Sequence, residues 1–253
     1  MNKPSEEQSS AVYGINAVKE AIGMRPIDSV LVAAGRHNPR VQEIVNACRK
    51  AGISVRLAPR AALERTAGTS HHQDVVALCA AKKYEDLATL VRGRENPLLV
   101  ALDGVEDPRN LGAIIRTAVA AGADGIVIPE RRAAGLTAAV AHASAGALEH
   151  ARVARVPNLV RSLLELKEHG VWVYGLEARA KKSYLELDYT GSCAIVLGGE
   201  GEGLHRLVRE SCDVVVCIPL HGPVESLNVS VAAAIVLYEA ARQRHREATR
   251  KQR

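Results

Sequence analysis

Residues 194–204, AIVLGGEGEGL, join a short apolar run to a glycine-rich loop. The apolar run is typical of a strand that is buried on both faces of a sheet. Four of the six residues 198–203 are glycine, which lets the backbone approach a ligand or another segment closely. In parallel α/β sheets, ligands bind beyond the carboxyl ends of the strands. This stretch therefore predicts an α/β fold with a ligand site after residue 197.

The same alternation of apolar runs and helical patterns continues on both sides of this stretch. We predict strands at 98–102, 125–128, 152–156, 171–175, 194–197 and 214–218. Helices are expected near 111–121, 158–169, 204–209 and 229–245. Strands of this kind separated by helices indicate a parallel sheet that is covered on both faces.

A shorter α/β alternation precedes this region and predicts a separate small domain. The expected organisation is a disordered tail at 1–10, an N-terminal domain at 11–82, a charged linker at 83–96, the main domain at 97–246 and a basic tail at 247–253.

The composition is that of a soluble protein, with 47% hydrophobic and 24% charged residues in a chain of 253. We expect a cytoplasmic protein, because the apolar runs are too short for a membrane span and the polar first residues do not resemble a signal peptide. The net charge of +5 suits nucleic acid and a mildly basic enzyme equally well. Aromatic residues make up only 3%, so RNA binding would depend on phosphate contacts and shape more than on stacking.

The five cysteines form no Cys-x-x-Cys pair and mostly lie in apolar runs, so we expect free, structural thiols. Zinc-ligand spacings are absent as well, and no metal site is expected. The adjacent histidines His71 and His72 lie in a polar loop that suits either substrate contact or plain solvent exposure.

The first unusual loop follows the strand at 98–102 and reads DPRNLGAIIRT over residues 107–117. Asp107 and Pro108 are a typical helix start. Asn110 would lie near the exposed N–H groups of that helix, which favour anions. Arg116 interrupts an otherwise apolar helix, so it either faces a cleft or is a surface arginine whose stem packs on apolar neighbours.

The glycine-rich loop after residue 197 lacks both the Gly-x-Gly-x-x-Gly pattern and the Lys-Ser/Thr of a phosphate-binding loop. Its carboxylates, Glu200 and Glu202, suit a cation or a hydroxyl-rich ligand better than a triphosphate. S-adenosylmethionine offers both properties, whereas a flexible turn is the alternative interpretation.

The third loop, residues 219–230, joins the last strand to the last helix. Asn228 is placed to cap that helix, and Ser226 lies just before it. Capping alone would explain these residues, and a role at a ligand site is compatible with it.

Together the three loops resemble a known family. Asn110-x5-Arg116-Thr117, Leu197-Gly198-Gly199-Glu200-Gly201-x-Gly203 and Ile218-Pro219-x6-Ser226-Leu227-Asn228-Val229-Ser230 resemble the three motifs of SpoU-type RNA ribose 2′-O-methyltransferases of the SPOUT superfamily. Gly199 stands where a small residue such as alanine is common in the family.

The N-terminal domain resembles the small substrate-binding domain of the same family, which has a ribosomal-protein RNA-binding fold. Tyr13-Gly14, Val18 and His72-Gln73 are similar to residues of the branch that methylates 23S rRNA guanosine. Asp74 replaces an expected glycine, which changes the contact that this loop would make.

The resemblance implies a trefoil knot in the C-terminal domain, S-adenosyl-L-methionine as cofactor and a homodimer with sites completed across the interface. The implied cofactor-binding residues are Leu197, Gly198, Gly199, Ile218 and Leu227. The implied catalytic residues are Arg116, Asn110, Glu200, Ser226 and Asn228.

The roles that follow are those of a ribose methyltransferase. Arg116 would act either as general base or as a charged group that stabilises the developing alkoxide. Asn110 and Ser226 would position Arg116 or a phosphate, Glu200 would orient Arg116 or the ribose, and Asn228 would order its motif around the cofactor.

The expected activity is 2′-O-methylation of a ribose in structured RNA, with a guanosine of large-subunit rRNA as the substrate that the resemblance favours. The alternatives are a tRNA methyltransferase and a non-catalytic RNA-binding or ribosome-assembly factor. A nicotinamide-dependent dehydrogenase is disfavoured by the missing glycine fingerprint.

Overall fold

The computed structural model describes residues 9–35, 38–201 and 203–251. They form two compact units. The first contains the described residues up to Lys83 together with residues 135–150. The second contains Tyr84–Ala134 and the described residues from Ala151 onward.

The first unit is built on a four-stranded sheet. Its strands are β1 (Ser9–Tyr13), β2 (Ile27–Ala33), β3 (Val55–Ala58) and β4 (Val75–Ala80), in the order β1-β4-β2-β3. β4 is antiparallel to β1 and β2, and β3 is parallel to β2. The helices that follow β1, β2 and β3 are α1 (Ile15–Ala21), α2 (Pro39–Lys50) and α3 (Arg60–Ala67).

β1 begins at Ser9 and so corrects, at Ser9 and Ser10, the prediction of a disordered tail over residues 1–10. It pairs with β4 from Ser9 opposite Ala80 to Tyr13 opposite Val76. Two serines and a short apolar stretch do not indicate a strand by themselves, and the edge of β4 supplies the hydrogen bonds that make them one. Residues 1–8 lie outside the described part of the chain.

The second unit is built on a seven-stranded sheet with the order β7-β6-β5-β10-β8-β11-β9. Its strands are β5 (Leu98–Asp103), β6 (Gly125–Pro129), β7 (Val153–Val156), β8 (Trp172–Leu176), β9 (Lys182–Ser183), β10 (Cys193–Gly198) and β11 (Val214–Cys217). All neighbouring pairs are parallel. The predicted α/β fold with a parallel sheet is therefore confirmed.

β5 and β10 are adjacent at the centre of this sheet, where the strand order changes direction. β5 continues to β6 on one side, whereas β10 pairs with β8 on the other. A crevice opens beyond the carboxyl ends of two strands at such a point.

The remaining helices are α4 (Leu87–Val91), α5 (Pro108–Ala120), α6 (Ala138–Ala143), α7 (Leu159–Glu168), α8 (Arg206–Ser211) and α9 (Val229–Lys251). The Asp107 carboxylate caps α5 by accepting the Arg109 N–H at 2.7 Å, and Asn158 caps α7 in the same way. Within the described residues, none of the helices combines the length and the apolar character of a membrane span.

α4 lies inside the segment 83–96 that was predicted to be a linker. Leu87 and Leu90 are buried in the core of the second unit, so this segment is packed structure. At the other end, α9 continues through most of the predicted basic tail at 247–253, because Arg246, Glu247 and Ala248 are good helix formers. Residues 252 and 253 lie outside the described part.

Residues 135–150 belong to the first unit, although the predicted main domain at 97–246 includes them. Glu149 forms an ion pair with Arg25 at 2.8 Å, and the side chain of Glu149 is only 1% exposed. Gly146 lies so close to α1 that an added Cβ would be 2.6 Å from Glu20 Cγ. These contacts join residues far apart in sequence, so the local helix and strand patterns could not predict them.

The cysteines are free thiols, as predicted. Cys48, Cys79 and Cys193 are buried, and burial raises the pKa of each of them. Burial, with Asp213 next to it, raises the pKa of Cys212 to about 12. Thiols in this state are poor nucleophiles near neutral pH.

We expect Glu149→Gln to destabilise the first unit by about 3 kcal/mol, because the buried Arg25 loses its counter-charge. The measurement is the free energy of unfolding of the first unit in urea. The matched control is Glu20→Gln, because Glu20 pairs with His150 through side chains that are 41% and 45% exposed. Its loss should stay below about 1 kcal/mol. Equal losses in the two variants would contradict this account of residues 135–150.

Candidate active site

A cleft of about 670 Å³ lies at the carboxyl ends of β8, β10 and β11 in the second unit. The loops after these strands and the start of α9 surround it. Its lining consists of residues 176–179, 197–201, 203, 218, 220, 225–229 and 232.

The backbone of the glycine-rich loop is packed too closely for side chains at two positions. A Cβ on Gly198 would lie 2.1 Å from the carbonyl carbon of Gly203, and one on Gly199 would lie 2.2 Å from the Gly104 oxygen. Even an alanine at Gly199 would require the backbone at Gly104 to move. The backbone at Gly198 and Gly199 is therefore packed against Gly203 and against the end of β5.

A chain of side-chain hydrogen bonds joins the three predicted loops. The Asn110 amide donates from Nδ2 to Glu200 Oε1. Its Oδ1 accepts a hydrogen bond of 3.1 Å from Asn228 Nδ2. Asn228 Oδ1 in turn accepts from the Ser230 N–H at 2.9 Å and caps α9. The first, second and third loops thus meet at Asn110, which is 9% exposed.

Arg116 lies apart from this chain. It is exposed on α5 and does not line the cleft. Six helical positions correspond to about 600° of rotation, which places Arg116 about 120° around α5 from Asn110. No ion pair or hydrogen bond of its side chain occurs among the described residues.

The other predicted residues are distributed as follows. Glu200, Ser226 and Asn228 line the cleft, whereas Asn110 contacts it through its bonds to two of them. All five predicted cofactor-binding positions line it: Leu197, Gly198, Gly199, Ile218 and Leu227.

The loop after β8 also lines the cleft, and the sequence analysis did not identify it. Glu177 projects a carboxylate that is 21% exposed, with Oε2 at 2.9 Å from Arg209 Nε. Arg179 is exposed at the same edge. The rule that ligands bind at the carboxyl ends of parallel strands would have identified this loop, since the strand was predicted at 171–175.

A second omission is the contact that holds the far end of the glycine-rich loop. Asp103 Oδ2, at the end of β5, accepts the His205 backbone N–H at 2.7 Å, and Oδ1 is 2.9 Å from His205 Nδ1. Arg132 Nη1 lies 3.1 Å from His205 Nε2. Because arginine only donates, Nε2 accepts and Nδ1 carries the proton toward Asp103. The loop is therefore anchored at both ends.

Comparison with known proteins identifies the family. Residues 97–238 match the model of the SpoU rRNA Methylase family. The chain belongs to this family. The resemblance stated from the three motifs is thereby confirmed. Residues 11–85 of this SpoU methylase match a second model, described as RNA 2′-O ribose methyltransferase substrate binding.

Two curated relatives align with nearly the whole chain. The chain is 44% identical over 246 residues to the 23S rRNA (guanosine-2′-O-)-methyltransferase RlmB of Xanthomonas campestris, covering 94% of this chain and 98% of that protein. It is also 44% identical over 244 residues to the putative TrmH family tRNA/rRNA methyltransferase YacO of Bacillus subtilis, with the same coverage.

A solved structure supports the assignment. The SpoU methyltransferase AviRb from Streptomyces viridochromogenes, in complex with the cofactor AdoMet, is similar with a TM-score of 0.79 and 26% identity. The match covers 94% of this chain and 91% of that one.

The hydrogen bond between Asn110 and Asn228 predicts a measurable coupling. In a double-mutant cycle of Asn110→Ala and Asn228→Ala, we expect a coupling of about 1 kcal/mol in the free energy of unfolding. The control cycle pairs Asn110→Ala with Asn158→Ala, which removes the cap of α7 without touching Asn110. That cycle should be additive within about 0.5 kcal/mol. Additivity in both cycles would mean that the loops are not joined through Asn110.

Proposed function

We propose that this SpoU methylase transfers a methyl group from S-adenosyl-L-methionine to the ribose 2′-hydroxyl of a guanosine in 23S rRNA. The observation that carries the proposal is the hydrogen-bonded chain from Glu200 through Asn110 to Asn228, which joins all three family motifs at one cleft. The relatives named as 23S rRNA guanosine methyltransferases align with both units and support the choice of RNA.

The residues of the cleft fit the cofactor. A volume of about 670 Å³ lies within the usual range of about 300–1,000 Å³ for small-molecule sites. Leu197, Ile218 and Leu227 offer apolar contacts for an adenine. Among the described charged residues that line the cleft, the carboxylates of Glu177, Glu200 and Glu225 outnumber the single cation, Arg179, although Glu177 is paired with Arg209. This excess of carboxylates suits a sulfonium cation.

When bound, S-adenosylmethionine supplies an electrophilic methyl group, and the protein must supply orientation and charge. Gly198 and Gly199 allow the backbone to form one wall of the site. Glu200, oriented by Asn110, is placed to accept a hydrogen bond from a ribose hydroxyl. The Ser226 hydroxyl lines the same cleft and can bind the substrate beside it.

Arg116 is the residue that we assign to the reacting 2′-hydroxyl. An arginine ordinarily keeps its proton in proteins. We therefore assign the charged guanidinium to stabilisation of the developing alkoxide rather than to general-base catalysis, and the 2′-hydroxyl proton leaves to solvent as the methyl group passes from sulfur to oxygen. The exposed position of Arg116 leaves it available to an RNA strand or to a second subunit.

The proposal includes a homodimer in which Arg116 completes the cleft of the partner subunit. α9 packs against α5, and Val231 and Tyr238 on α9 are 47% and 56% exposed. These two residues are seven positions apart and share one helix face. A symmetric contact on this face would cover apolar surface and bring the Arg116-bearing helix to the interface.

The proposal also includes the trefoil knot of the family. β11 pairs with β8 on the outer side of the sheet, whereas α9, which follows β11, packs against α5 and β10 at its centre. The chain after β11 must therefore cross back over the loops of the site. A cytoplasmic location, where ribosomal RNA is modified, completes the proposal.

To test which class of RNA is the substrate, purified protein is incubated with radiolabelled S-adenosylmethionine and either 23S rRNA transcript or total tRNA. Label should enter 23S rRNA and not tRNA. Label in tRNA alone would mean that the substrate is tRNA and not 23S rRNA. Transfer to neither RNA would favour a non-catalytic RNA-binding factor.

We expect Arg116→Ala to lower methyl transfer by at least a hundredfold, because the developing alkoxide loses its cation. Binding of S-adenosylmethionine, measured by calorimetry, should be unchanged. The control is Arg161→Ala, which removes another exposed arginine near the start of α7. Activity of Arg116→Ala within tenfold of the wild type would remove Arg116 from the site.

Gly198→Ala should abolish cofactor binding, since its Cβ has no room against Gly203. Gly222→Ala is the matched control, because a Cβ at Gly222 meets nothing within 4 Å.

Mixing Arg116→Ala with Gly198→Ala subunits should restore transfer if one subunit supplies Arg116 to the cleft of the other. A mixture as inactive as its components would place Arg116 and the cleft it serves in the same subunit.

A further inference from the structure

A second cavity, of about 440 Å³, lies within the first unit. Its lining comes from residues 70–74, from Arg60 and Glu64 on α3, and from His142 on α6. His142 comes from the part of the chain that matches the methylase model, yet it lies in the same unit as the segment that matches the substrate-binding model.

His72 supplies a hydrogen-bond donor to this cavity. The residue is 3% exposed, and its Nδ1 lies 3.1 Å from the Asp74 backbone N–H, from which it accepts a hydrogen bond. The proton of the neutral ring is therefore on Nε2. Within the described residues Nε2 has no hydrogen-bond partner, and it is not sealed from solvent, so it is free to donate to a group that enters the cavity.

The loop that carries His72 is held in a conformation that side chains rarely adopt. Gln73 and Asp74 have φ angles of 52° and 64°, in the left-handed region. The Gln73 side chain accepts the Ile15 N–H at 2.8 Å, and Asp74 pairs with Arg60 at 3.0 Å. Strained backbone persists where its surroundings determine it, and such positions cluster at functional sites.

The charges of the cavity do not suit a phosphate. Its charged side chains are Arg60, Glu64 and Asp74, and the single cation is already engaged by Asp74. Glu64 is exposed, and no ion pair of its carboxylate occurs among the described residues. A free carboxylate repels phosphate but accepts hydrogen bonds from the N–H groups on the edge of a base.

The cavity also offers flat rings. The His142 ring stacks on Tyr13 with centroids 4.9 Å apart and an angle of 27° between the rings. His71 is exposed and lines the same cavity. Imidazole rings can stack on unpaired bases in RNA recognition, which compensates for the few aromatic residues of this chain.

We propose that this cavity receives an unstacked base of the RNA substrate. The Glu64 carboxylate accepts from N–H groups on the edge of the base, and His72 Nε2 donates to an acceptor on it. The inference rests on the proposed function, because it assumes that the substrate is RNA, and it assigns His142 to RNA recognition.

The test measures the Kd for 23S rRNA transcript and its dependence on salt for Glu64→Ala and His71→Ala. Both side chains are exposed and form no side-chain hydrogen bond within the described residues, so the fold should be kept. We expect each variant to bind about tenfold more weakly, as is typical for the loss of one base contact. The slope of log Kd against log salt should stay unchanged, because no phosphate contact is lost.

The direction of the change in RNA affinity of Glu64→Ala distinguishes a base contact from a general effect of charge. Removal of a negative charge from an RNA-binding protein should tighten binding if the residue has no specific contact. The matched controls are Glu43→Ala on α2 and His169→Ala at the end of α7, both exposed. They should bind as the wild type does or slightly more tightly.

Two results would overturn the inference. Wild-type affinity in both cavity variants would show that no base enters, and a slope reduced by about one unit in His71→Ala would mean that the cavity holds a phosphate. Failure of the proposed function is separate from these, since the wild-type protein would then methylate no RNA.

Discussion

The side-chain amide of Asn110 is the contact on which the organisation of the site depends. It is nearly buried, and it forms hydrogen bonds both to Glu200 from the glycine-rich loop and to Asn228 from the loop before α9. An amide is suited to this place because it donates and accepts at the same time, whereas a carboxylate of the same shape would repel Glu200. The loops can meet there because β5 and β10 are neighbours in the sheet.

Close backbone packing makes this contact possible. Gly198 and Gly199 bring the second loop against the end of β5, and Asp103 holds its far end through His205. These contacts fix the backbone on one side of the cleft. Arg116 is the exception, because it stands outside the cleft of its own chain. We therefore propose that one subunit forms the binding cleft and that a second subunit supplies the reacting cation.

Most of the architecture of the second unit could be predicted from periodicity and helix caps. The buried strands and the helix starts at Asp107 and Asn158 are local signals, and the structure has them near the predicted positions. The packing of residues 135–150 could not be predicted, because it depends on contacts such as Arg25 with Glu149 that join segments far apart in sequence. β1 was missed for a similar reason, since its pairing partner determines its conformation.

Some residues of the candidate site could likewise be predicted from local sequence signals, and others could not. The three loops were recognised because each follows a predicted strand and carries unusual polar residues or glycines. Glu177 was open to the same reasoning, whereas the contact of Asp103 with His205 spans 102 positions and needed the structure. The N-terminal cavity was partly visible as the histidine pair at 71 and 72, but His142 and the buried state of His72 were not.

The identity of the modified nucleoside distinguishes methyl transfer to a guanosine ribose from methyl transfer to a base. Purified protein would be incubated with S-adenosylmethionine and unmodified 23S rRNA transcript, and the digested RNA would be analysed by mass spectrometry. We expect 2′-O-methylguanosine as the new nucleoside. A guanosine methylated on its base, or no methylated nucleoside at all, would contradict it.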